Sequence, residues 1–350
     1  MALPSVKVCL SVVAFNLGLL LLGVIFIELA FGNWFNPYVL PNPGLVGRFT
    51  YPQPLYEPHS TIVQVRDKYG LRGLEQPISA VQLVTVGGST TAQTFISDGD
   101  TWQDVIHSLT GIVIANAGID GATSKGHVEI VEDWLHAIPG LQARYFLHYV
   151  GINDAFMNQT VPLADQRDRF SWSRRMWPRS AVLQGVSKFR GWFKMMRIVG
   201  HAAAASDLTA GRDAIRVQGD HSAIAAYIER IYKPNLRILL DLHERLGDTA
   251  IFVTQPANPS MMFHKGGDLF VTLPGFEAWA AALDPVNAAT QAVCRERPPN
   301  CRTIDLAGNI LLEPSDFYDI VHNTPQGARK VGEFLSRHLD FIRDNSAKPE

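Results

Sequence analysis

The sequence predicts an α/β fold, a three-layer α/β/α sandwich around a mostly parallel sheet, preceded by one transmembrane helix. Five short apolar, β-branched runs, at 81–86, 112–115, 145–150, 250–254 and 303–306, have the length of buried strands. Helical patterns lie between and after them, at 101–109, 124–137, about 223–246 and about 325–343. Such alternation builds a parallel sheet through right-handed crossovers. The third observation is an apolar run at 8–30 in which Asn16 and Glu28 are the only strongly polar residues.

That run has the length of a bilayer-spanning helix, about 20 residues. The apolar stretch of a secretory signal is shorter, about 7 to 15 residues, and Glu28-Leu29-Ala30 fits a small-x-small cleavage site poorly. The expectation is an uncleaved signal anchor over 8–31, against a cleaved signal peptide or a buried core helix. Lys7 precedes the run and the nearest cation after it is Arg48, so the positive-inside rule puts the amino terminus in the cytoplasm. The rest of the chain then faces the periplasm or the cell exterior.

With 350 residues, 47% hydrophobic and 18% charged, the chain can build one sizeable core without a second large domain. A net charge of −2 names no polyanionic partner, and no nucleic acid is expected. Cys9 lies in the apolar run. Cys294 and Cys301 flank a proline-containing loop, as a small disulfide of an oxidising compartment or as two unpaired thiols.

After the span, 34–58 holds Pro37, Pro41, Pro43, Pro52, Pro54 and Pro58, which prevent a continuous helix and predict an extended stalk. Residues 63–73 alternate and then turn, completing a stalk-and-hairpin region at 32–80 ahead of the main domain at 81–345. A long insertion at about 155–220 carries Arg167, Arg169, Arg174, Arg175, Arg179, Lys188, Arg190, Lys194 and Arg197 among Phe170, Trp172, Trp177, Phe189, Trp192 and Phe193. Such a basic, aromatic stretch lies on lipid, stacks on sugars, or caps the core.

Four short motifs supply the chemistry. Gly87-Gly88-Ser89-Thr90, Asn116-Ala117-Gly118 and Gly151-Ile152-Asn153-Asp154 each follow an apolar run, hence a strand end, where open α/β sheets carry their sites. Asp319-Ile320-Val321-His322 lies ahead of the last helical pattern, with Asn323 or Thr324 placed to cap that helix and Pro325 in its first turn. Ser89 suits a nucleophile, or on a bland reading a helix N-cap. Imidazole titrates near neutrality, which suits His322 as the base, and Asp319 three residues earlier can orient it. The Ser89 and Gly118 N–H groups and the Asn153 amide are the expected oxyanion donors. Asp154 is expected to anchor its own loop.

In this ordered set the chain resembles the SGNH (GDSL-like) hydrolases, whose four named residues match Ser89, Gly118, Asn153 and His322. The resemblance runs from about residue 81 to the last helix and implies an SGNH/flavodoxin-like fold and an acyl-serine mechanism. The 63–73 hairpin is similar to one in exopolysaccharide-associated members. Gly88 stands where the best-known members have aspartate, and the insertion exceeds a simple crossover.

The expected function is a membrane-anchored serine esterase cleaving an acyl, chiefly acetyl, ester on a glycan. The alternatives are an O-acyltransferase with the same triad, a lipid esterase, and a non-catalytic glycan-binding envelope component. Expected partners are an acylated glycan or other ester, the membrane, and envelope polysaccharide machinery. Gln255 and His264 are candidate substrate contacts. No cofactor is expected. His127, His136 and His243 lack a metal spacing, His-Glu-x-x-His is absent, and neither a phosphate loop nor a dinucleotide fingerprint occurs.

Overall fold

A computed structural model describes residues 6–35, 38, 40, 46–53, 55–57, 60–73, 75–157, 179–186, 221–258, 262–265, 268–271 and 276–346. The central sheet has five strands, β3 (Leu83–Gly87), β4 (Ile114–Asn116), β5 (Tyr145–Tyr149), β6 (Thr249–Val253) and β9 (Cys301–Ile304), all parallel, in the order β4-β3-β5-β6-β9. Counted from the first sheet strand this is 2-1-3-4-5, the flavodoxin-like doubly wound order, with its switch point between β3 and β5.

The two faces follow from strand alternation. Val84, Val86, Phe146, Ala250 and Phe252 pack into one core, whereas Leu83, Leu147, Ile251 and Val253 pack into the other. On the first face lie α4 (Ser124–Glu129), continued irregularly to Ala137, α6 (Lys233–Leu246) and α7 (Phe276–Arg295). On the second lie α3 (Trp102–Thr110) and α8 (Pro325–Ser336). These two helices cross closely at Gly332, where a Cβ would sit 2.6 Å from the Val105 Cβ.

Four local outcomes differ from the expectations. The proline-rich stalk ends earlier than its composition implies, because Gly47–Gln53 forms β1, antiparallel to β2 (Ser60–Arg66). Pro52 is accommodated in a two-stranded ribbon, where an edge position can forgo a donor. Residues 223–246 are not one regular helix, since Ile228–Tyr232 is a π-turn between α5 (His221–Tyr227) and α6. The last helical pattern breaks after Ser336 and resumes at Asp340–Ser346. Two further strands outside the five expected, β7 (Met262–Lys265) and β8 (Asp268–Val271), pair antiparallel around the candidate contact His264.

At the amino end, α1 (Val6–Phe31) contains a 21-residue segment, Ser11–Phe31, of mean hydropathy 2.4 with no buried residue, long and apolar enough to cross a membrane as an anchor or a signal sequence. Its carboxylate Glu28 accepts hydrogen bonds from Trp34 Nε1 (3.0 Å), the Ala181 N–H (2.8 Å) and the Ser180 hydroxyl, and so caps a helical turn at 181–186. The rest of the basic insertion, including Arg167 to Arg175 and Lys188 to Arg197, falls outside the described residues. Cys294 and Cys301 are joined as a disulfide between the end of α7 and the start of β9, with Cα atoms 5.3 Å apart.

Candidate active site

Ser89 is the first residue of α2 (Ser89–Ala92), a single turn that begins directly after β3. An extended Gly88 (φ −82°, ψ −150°) turns the chain there. At the first helical position the Ser89 N–H has no intrahelical acceptor. A β-carbon on Gly88 would lie 2.2 Å from Asn153 Nδ2. Glycine at 88 therefore lets the Asn153 amide lie directly against the serine turn, where a larger residue would require the amide to shift.

His322 reaches this turn from the loop before α8. Its Nε2 lies 2.7 Å from the Ser89 hydroxyl oxygen, and its Nδ1 lies 2.5 Å from Asp319 Oδ2. The other Asp319 oxygen accepts the N–H groups of Val321 (2.8 Å) and His322 (2.7 Å), so the loop fixes the carboxylate. Backbone bonds close the loop itself, with Tyr318 N–H donating to His322 O (3.0 Å) and Thr324 N–H to Asp316 O (2.9 Å). Of the two expected caps, Thr324 caps α8, accepting from Gly327 N–H at 3.3 Å. Asp316 is buried and paired with Lys330 at 2.7 Å.

Both titrating partners are shifted by one another. For His322, burial opposes the charged form, yet the Asp319 charge and hydrogen bond outweigh it and raise the pKa above the ordinary 6.5. For Asp319, burial pushes upward, and the imidazole and two backbone N–H groups pull the net value below 3.8.

Gly118 approaches α2 so closely that a β-carbon would lie 2.3 Å from the Ala92 nitrogen. Its N–H, an expected oxyanion donor, donates to Asn116 Oδ1 at 2.9 Å, and its carbonyl accepts from Arg66 at 3.1 Å. The Asn153 amide spends one hydrogen on Ala122 O (2.9 Å) and keeps a second. Ser89 and Asn153 thus retain donors facing the serine turn, while that of Gly118 is already engaged.

Two expected roles change. Gln255 is not a substrate contact: it is 1% exposed, accepts from Ile152 N–H (2.7 Å) and donates to Thr90 Oγ1 (3.0 Å), tying the nucleophile turn to the Asn153 turn. Asp154 anchors α4 rather than its own loop. It accepts from the N–H (2.8 Å) and hydroxyl (2.6 Å) of Ser124 and from Tyr227 (2.8 Å). Burial lifts its pKa to about 6, with those hydrogen bonds opposing. His264 lies in β7, with its side chain outside the described residues.

Three supports carried no motif. Tyr318 stacks on the His322 ring at 5.4 Å and 6°, and Tyr56 in turn stacks on Tyr318 at 5.7 Å. Arg72, 1% exposed, pairs with Asp98 (2.7 Å) and donates to the carbonyls of Ala92, Gln93 (2.7 Å) and Ile96, so it holds the end of α2. Gln93 closes that helix in a left-handed conformation (φ 48°), its side chain bonded to Gln103 at 2.6 Å. Only Arg72 left a trace in the sequence, as part of the 63–73 hairpin.

The chain is similar to solved structures of G-D-S-L lipolytic proteins and acetylxylan esterases. An acetylxylan esterase from Geobacillus stearothermophilus overlaps 75% of this chain and 96% of its own, at 14% identity and a TM-score of 0.42. A lipolytic protein of the G-D-S-L family from Veillonella parvula overlaps 75% and 99%, at 13% identity and 0.38. A GDSL-like lipase from Bacteroides thetaiotaomicron overlaps 76% and 91%, at 11% identity and 0.40. No protein-family model matches the chain, and neither does any curated protein. At TM-scores below 0.5 these overlaps decide nothing about chemistry.

Proposed function

We propose that this protein is a serine hydrolase acting on ester bonds through an acyl-Ser89 intermediate. The observation that carries this reading is the continuous path from the Ser89 hydroxyl through both His322 ring nitrogens to Asp319. Neutral His322 takes the Ser89 proton as the oxygen attacks the ester carbonyl, and Asp319 stabilises the imidazolium that forms. The Ser89 N–H and the free Asn153 amide hydrogen receive the developing oxyanion. His322 returns its proton to the leaving alcohol and then activates water against the acyl-enzyme.

The proposed setting is the outer face of a membrane, with α1 as a single-pass anchor. An exposed apolar α1 supports it, as does Glu28, whose carboxylate is hydrogen-bonded to protein donors and not left unpaired at the end of the apolar segment. A disulfide suits an oxidising compartment. In that setting the proposed substrate is an acetylated glycan.

Hydrolysis of p-nitrophenyl acetate tests the chemistry, and acetate release from an O-acetylated polysaccharide tests the substrate. Unchanged turnover in Ser89→Ala would sink the mechanism. Cleavage of the small ester without acetate release would sink the glycan assignment alone.

A further inference from the structure

The opposite edge of the sheet holds a second histidine–aspartate constellation that the esterase mechanism does not use. Residues 143–144 lead into β5 and Asp248 leads into β6, so this is the N-terminal edge, separated from Ser89 by the strand length, roughly 16 Å for five residues. His136 comes from the turn after α4, His243 from the last turn of α6, and Asp248 from the bend between α6 and β6.

His136 Nε2 lies 3.1 Å and His243 Nδ1 3.8 Å from Asp248 Oδ2, and the three atoms lie within 4.8 Å of one another. All three are buried atoms that face one another without forming a well-aligned hydrogen bond, and the His243 side chain is fully buried. Three polar atoms converging with no better contact than a 3.1 Å ion pair are costly unless something sits between them. Ligands about 2.0–2.2 Å from a tetrahedral ion are separated by distances of the order seen here.

We infer that His136, His243 and Asp248 form a binding site for a divalent first-row transition-metal ion. Two imidazoles and one carboxylate are a donor set for zinc and its neighbours in that row. Three protein ligands leave a coordination position open, and His136 and Asp248 also line a pocket of about 360 Å³.

The surroundings orient the ligand as such a site requires. His243 Nε2 lies 2.9 Å from His148 Nε2, and His148 Nδ1 lies 3.1 Å from His127 Nδ1, with all three rings fully buried. Buried without counter-charges, His127 and His148 are neutral and carry one ring proton each. Of the two proton orders this chain allows, one has His243 Nε2–H donating to His148 and His148 Nδ1–H donating to His127. That order leaves His243 Nδ1 bare and facing Asp248, as a ligand must be, with its other nitrogen donating to an acceptor. Spacing could not reveal the site, because His136 lies more than 100 residues before His243 and Asp248, which flank the end of α6.

The test uses full-length protein in detergent, stripped with chelator and titrated with Co²⁺ while its visible absorption is followed, then with Zn²⁺ as competitor. One equivalent of Co²⁺, displaced by Zn²⁺ and weakened at least about 100-fold in His136→Gln and Asp248→Asn, is the expected result. Fluorophosphonate labelling of Ser89 in both variants reports that they are folded, and it is expected to be unchanged. Binding far below one equivalent in wild type would overturn the site in favour of a plain ion pair. Binding undiminished in labelled, folded variants would also overturn it.

Discussion

The two edges of one sheet carry the same pair of residue types and set them to opposite tasks. At the C-terminal edge both His322 ring nitrogens are bonded, its ring is 23% exposed, and Asp319 raises its pKa. At the N-terminal edge His243 is fully buried, its Nδ1 is unbonded, and burial, opposed by Asp248, lowers its pKa. A histidine that holds a hydroxyl on one side and a carboxylate on the other is a base in waiting. One stripped of water and left with a bare nitrogen is a ligand in waiting.

Breaking the first edge produces the largest effect. Ser89→Ala is expected to lower kcat for p-nitrophenyl acetate by about 10⁴-fold or more, measured in detergent with intact circular dichroism. Asp319→Asn is expected to cost about 10⁴-fold. It also moves the acidic limb of the pH–rate profile. Activity needs neutral His322, so wild type loses rate as pH falls through a value above 6.5, and removal of the carboxylate moves that inflection downward. An inflection that stayed in place would show that Asp319 does not set the imidazole pKa.

Asn153→Ala is expected to reduce kcat about 10²- to 10³-fold with little change in KM. Gly88→Asp sharpens the point, since a Cβ there would stand 2.2 Å from Asn153 Nδ2 and the amide would have to move off the serine turn. Its kcat should fall toward that of Asn153→Ala, and the double variant should lose little more. Additive losses would mean that Gly88 acts independently of Asn153.

The smallest expected effect is at the second edge, where His136→Gln should leave kcat within about twofold of wild type. The coordination site lies across the sheet from the serine and shares no hydrogen bond with it. A large loss of esterase activity in folded His136→Gln would mean that the edges are coupled.

The comparison also explains what could be read from the sequence. Ser89, Asp319 and His322 were legible because each sits in a short string tied to a strand end or a helix start, and the structure brings their side chains within hydrogen-bond reach of one another. The five strands were legible as apolar runs, with ends misplaced by one to two residues. Gln255 follows a strand end as a substrate-binding residue would. Only its burial and its bonds to Ile152 and Thr90 distinguish a strut from a contact.

The ribbon at 47–53 was hidden by prolines, and α7 contains Pro285, so local composition opposed what tertiary packing supports. The His136–His243–Asp248 cluster lay beyond any pattern, since its two histidines are more than 100 residues apart. Burial and the return of α6 to the sheet edge create it.

The most direct test of the account follows the rate of fluorophosphonate labelling against pH for wild type, Ser89→Ala and His322→Ala. Labelling confined to Ser89, rising through an inflection above pH 6.5 and lost in both variants, is the predicted result. Folded wild type that resists the probe, or that labels equally well without His322, would contradict an activated serine.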